Sequence, residues 1–70
     1  MGVADYKKKI KRLIQTAESE GWQVSHTSGG HWRFVPAERD RQIVHAAATS
    51  NDPRAIRNLE ADLRRSGLAV

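Results

Sequence analysis

The chain has no cysteine, only two prolines, and four aromatic side chains: one tyrosine, one phenylalanine and two tryptophans. It also lacks any apolar run approaching the ~20 residues that span a bilayer. Each scarcity removes a class of protein. Without cysteine there is no disulfide to staple the fold, so helices and sheet must hold it, with or without a partner. Without an apolar span, or a charged segment leading into an apolar one at the amino end, the expectation is a soluble, cytoplasmic protein with no membrane attachment. Seventy residues leave room for one small domain, residues 1–70, with no second core and no repeat. A core of that size supplies only about 3 to 5 kcal/mol of net stability.

Positive charge is plentiful. Twelve Lys and Arg stand against eight Asp and Glu, for a net charge of +4 and an isoelectric point of about 10.1. The excess is densest in Lys7-Lys8-Lys9-Ile10-Lys11-Arg12. Such a balance favours polyanions, chiefly nucleic acid, although net charge also serves solubility. Hydrophobic and charged fractions of 39% and 29% are those of an ordinary folded domain.

Period and punctuation predict the elements. Tyr6, Ile10, Leu13, Ile14 and Ala17 fall on one face of a helix that Asp5 can cap and Gly21 can end, so a first helix is expected over about 5–20. Lys7, Lys8, Lys11 and Arg12 lie off that stripe and meet solvent or a ligand. Trp22 to Thr27 alternates as a half-buried strand does, Ser28-Gly29-Gly30 reverses the chain, and His31 to Val35 forms a second strand. Pro36 to Asp40 turns again, and a third strand is expected over 41–47, its register ambiguous because Ile43 and Val44 are adjacent. Polar residues from Thr49 to Asp52 ahead of Pro53, then Ile56, Leu59 and Leu63, then Gly67, predict a second helix over about 53–66. The fold expected is α+β, in α-β-β-β-α order, with both helices on one face of a three-stranded antiparallel sheet.

The other face is then left open. Period two puts Trp32 and Phe34 inside and His31 and Arg33 on the open face, with Gln23, Ser25 and Thr27 as neighbours. Trp22, Trp32 and Phe34 read as core rather than as platforms for stacked bases, and Trp32→Ala is expected to unfold the domain. His26 shares its parity with Trp22 and Val24 and reads as partly buried. His45 is open to either reading. Three histidines without a ligand spacing do not make a zinc site, and no metal or cofactor is expected.

A helix ending in Gly-Trp, a strand, a Gly-x-His turn running into aromatic residues, a third strand and the terminal Ala-Ile-Arg-Asn-Leu-Glu-Ala-Asp-Leu-Arg-Arg-Ser-Gly-Leu resemble the HicA family of toxins over about Ile10 to Leu68. The family's Gly-Ser-His is Gly29-Gly30-His31 here, and His45-Ala46-Ala47 stands where a Pro-x-His is common. The resemblance implies a fold like a double-stranded RNA-binding domain, an RNA-cleaving activity, and a HicB antitoxin as partner, the toxin being a monomer alone or held in that complex. It also implies that His31 is catalytic.

The chemistry agrees with the resemblance. RNA is cut without metal when a base takes the proton of a 2′-hydroxyl and the oxygen attacks the neighbouring phosphorus. His31 can serve as base or acid, and Arg33 can hold the phosphate bidentately. The RNA-binding residues expected are Ser28, Gly29, Gly30 and Arg33 at the hairpin, with Lys8, Lys11 and Arg12 on the first helix. No second proton-transfer group is evident; Ser28 and His26 are candidates. The alternative is a non-catalytic nucleic-acid-binding module that uses the same face.

Overall fold

The computed structural model describes residues 3–70; residues 1 and 2 of the expected domain lie outside the described residues. The order is α1 (Val3–Ser19), β1 (Gln23–His26), β2 (His31–Val35), β3 (Val44–Ala47) and α2 (Arg54–Arg65). The strands pair antiparallel in the order β1-β2-β3, so the protein is α+β in the α-β-β-β-α layout. Both helices pack on one face of the sheet, α1 over β1 and α2 over β3, and they touch each other.

Sequence explains where the helices stop. At the end of α1 the Trp22 N–H donates to Ala17 O at 3.0 Å and the Gly21 N–H to Glu18 O at 3.1 Å, with Gly21 at φ +87°. The end of α2 repeats this closure: Leu68 N–H donates to Leu63 O at 3.0 Å, Gly67 N–H to Arg64 O at 3.1 Å, and Gly67 has φ +99°. Glycine supplies the left-handed residue in both, and the apolar residue after it folds back into the core. At the start of α2, Asp52 Oδ1 accepts from the Arg54 N–H at 2.9 Å ahead of which Pro53 is already helical.

Tyr6, Ile10, Leu13 and Ala17 from α1, Ile56, Leu59 and Leu63 from α2, and Phe34, Val44 and Ala46 from the sheet form the core, which Trp22 and Leu68 close. The buried Tyr6 hydroxyl donates to Ala47 O at 2.6 Å and ties α1 to the end of β3. Among the described residues no helix is long and apolar enough to cross a membrane.

Two expectations need correction, and one open point is resolved. Asp5 does not cap α1, which begins at Val3; its carboxylate lies in the first turn, where the helix dipole favours it. Pairing in the third strand starts at Val44 rather than Arg41, because the Gln42 carbonyl is taken by the buried Ser66 hydroxyl at 2.8 Å and the segment before Val44 follows α2 instead. Of the adjacent pair, Val44 enters the core and Ile43 is left 36% exposed.

Candidate functional site

The β1–β2 turn is a three-residue loop closed by Thr27. Its N–H donates to His31 O at 2.7 Å, its carbonyl accepts from the Gly30 N–H at 3.1 Å, and its Oγ1 accepts from the His31 N–H at 3.2 Å. Gly30 has φ +78°, the left-handed residue that such a loop places before the returning strand. Positive φ is thus needed at Gly30 and not at Gly29. Gly29 contributes its carbonyl, which stands 3.1 Å from His31 Nδ1. A carbonyl only accepts, so this bond puts the proton on Nδ1 and leaves Nε2 with a lone pair in the neutral ring. The turn thus leaves Nε2 as the accepting nitrogen of that ring. Ser28 is exposed at the tip of the loop.

The register assembles the open face. Ser25 is opposite Arg33, Arg33 is opposite His45, and His31 is opposite Ala47. Side chains directly opposite share a face, so Ser25, Arg33, His45 and His31 project together, and all four are exposed. His31 and His45 are diagonal neighbours, an arrangement that puts such residues about 7 to 8 Å apart, with Arg33 next to both. Sequence reasoning left His45 undecided. The signal that finds it is the choice of Val44 and Ala46 as the buried residues of β3, which turns His45 outward. Gln23 also lies on this face, opposite Val35, whereas Thr27 belongs to the turn.

The basic residues of α1 divide. Lys8 and Arg12 are exposed on the side of the helix turned away from its buried stripe, so they point away from the sheet and do not join His31 and Arg33. Lys11 stands instead with Lys7 on the flank of α1. Together with Trp32, His26 and Thr49, that flank borders a groove of about 570 Å³ at the turn end of the sheet. Trp32, expected in the core, is only half-buried there, and His26, expected to be partly buried, is exposed. Their rings meet edge to face, centroids 4.8 Å apart at an interplanar angle of 67°. Alternation told the face of both residues correctly; it could not tell that α1 stops short of covering them.

Among the described residues no three His, Cys, Asp or Glu side chains are grouped to hold a metal ion. No family model matches the chain, and neither a curated protein nor a solved structure matches it.

Proposed function

We propose that the chain is a HicA-like toxin, an endoribonuclease that cuts RNA through the substrate's own 2′-hydroxyl. The observation that carries this reading is the placement of His31, Arg33 and His45 on one open face of the sheet, with Arg33 and His45 directly opposite. His31, its Nδ1 proton engaged by Gly29 O, takes the 2′-hydroxyl proton at Nε2. The 2′-oxygen attacks phosphorus, and Arg33 holds the phosphate oxygens as charge builds on them. The bond to the 5′-oxygen breaks, and protonated His45 gives that oxygen its proton. The products are a 2′,3′-cyclic phosphate and a 5′-hydroxyl, and the protons balance. His45, rather than Ser28 or His26, is then the second proton-transfer group. On this reading a HicB-like antitoxin is the protein partner.

The test is cleavage of a mixed mRNA by purified protein in EDTA. Wild type is expected to cut, and His31→Ala and His45→Ala each to lose about 10²- to 10⁴-fold in rate with unchanged circular dichroism, since both side chains are exposed. Salt-sensitive RNA binding with no cutting by the folded wild type would replace this reading with the non-catalytic nucleic-acid-binding module.

A further inference from the structure

The groove between α1 and the turn end of the sheet takes no part in the chemistry of the open face, and its lining is specific. Trp32 and Ile14 give it apolar surface, Gln15 and Thr49 give it hydrogen-bonding groups, and Lys7 and Lys11 give it charge. Among the described residues neither lysine is paired with a carboxylate. They are four residues apart on a helix, hence neighbours on its surface, about 5 to 6 Å between Cβ atoms. Glu18, further along the same flank, marks the end of the groove that an anion avoids. A volume of about 570 Å³ is that of a site for one small molecule. It is too short for an amphipathic helix, because the apolar wall of α1 consists of Ile10 and Ile14, one helical turn.

We propose that this groove binds a single unpaired nucleobase of an RNA strand, the base against the Trp32 ring and the adjoining phosphate on Lys7 and Lys11. A planar apolar surface with hydrogen-bonding edges beside two unpaired cations matches a nucleotide, which has a flat base with polar edges and an anionic phosphate. His26 meets Trp32 edge to face, not in the parallel stack that a base makes, and Trp32 keeps part of its surface open. The inference rests on the reading of the chain as an RNA-acting protein and adds the class of substrate: single-stranded or looped RNA, since a paired base keeps both faces stacked inside its helix. It also orients the strand. His31 and Trp32 are consecutive residues of β2 on opposite faces, so a strand with a base in the groove rounds the β1–β2 turn to bring a neighbouring phosphate to His31 and Arg33.

The probe is a short 2′-O-methyl oligoribonucleotide, in which the attacking hydroxyl is blocked, titrated into wild-type protein. Binding is followed by anisotropy, and the indole N–H signals of the two tryptophans by NMR, with Trp22→Phe to assign them. The expected result is saturable binding that shifts the Trp32 signal and leaves that of Trp22 in place. Trp32→Leu, which keeps an apolar side chain against the core, weakens affinity about 5- to 100-fold. Lys7→Ala with Lys11→Ala lowers the salt slope by about 0.7 per lysine. Binding of the oligonucleotide with the Trp32 signal unmoved and Trp32→Leu at wild-type affinity, or equal perturbation by the same sequence as a duplex, overturns the groove while the RNA reading stands. Absence of binding at low salt overturns both.

Discussion

The two tryptophans occupy opposite ends of the same sheet and have opposite fates. Trp22 is 7% exposed and locked behind the Gly21 closure of α1, beside a gap of about 140 Å³ into which Arg41, Ser66 and Gly67 crowd from the far side. Trp32, within β2, is left half-open beside a groove about four times that size. The difference arises from what comes over the sheet at each end. Near Trp22 both helix ends converge, each with a glycine that lets the chain turn back and close. Near Trp32 there is a single helix flank, which presents Ile14 and Gln15 together with the charged Lys7, Lys11 and Glu18. The buried indole lies at the closed end, and the open groove at the other.

The contrast can be broken most forcefully by truncating the two indoles. Trp22→Ala is expected to cost about 3 to 5 kcal/mol, as much as a core of this size supplies, and to abolish a cooperative thermal transition. Trp32→Ala, which the alternation alone marks as equally severe, is expected to cost about 1 to 2 kcal/mol and to leave a cooperative melt at lower temperature. Equal losses would mean that the groove is closed in solution.

A smaller effect sharpens the comparison at the turns. Gly67→Ala forces a side chain into the left-handed region, where its methyl makes ordinary contact with the Arg41 side chain at 3.6 Å, and at Gly30 the added methyl meets open space. Both are expected to destabilise by about 1 to 2 kcal/mol from backbone strain, with Gly67→Ala the larger because it disturbs the closure that buries Leu68, in denaturant titrations. An order reversed in favour of Gly30 would place more of the stability at the hairpin than the packing indicates.

Smallest at neutral pH is the effect of Tyr6 ionisation. Burial raises its phenol above the ordinary value of 10.0, and ionisation would also remove the proton donated to Ala47 O. The folded state holds that proton more tightly than the unfolded chain does. Stability from this group is therefore complete below pH 10 and is lost as pH rises through the folded-state value. Alkaline melts of wild type are expected to fall more steeply than those of Tyr6→Phe, and parallel curves would refute the assignment.

How much of this was legible beforehand depended on whether a feature was local. The two Gly-apolar closures, the three-residue turn and the alternation along β2 are written in consecutive residues, and the fold follows from them. The start of β3 was not, because Gln42 is claimed by Ser66, a residue of the second helix's end. His45 was undecided for the same reason: its face follows from a register that only packing resolves. Alternation overstates the burial of Trp32, since parity assigns a face and says nothing about how far a helix reaches over it.

The order in which strands are joined bears on how the protein assembles. β1 pairs with β2 and β2 with β3, each next to it in the chain, so these contacts close short loops and need little chain entropy. The bond from Tyr6 to Ala47 is different, for it closes a separation of 41 residues. Joining α1 to the end of β3 thus costs more loop-closure entropy than pairing neighbouring strands does. Since α1 is one wall of the groove, the hairpin bearing His31 and Arg33 can exist before the groove does. A ligand held against Lys7 and Lys11 would slow the departure of the helix, so the groove and the attachment of α1 are bound to open together.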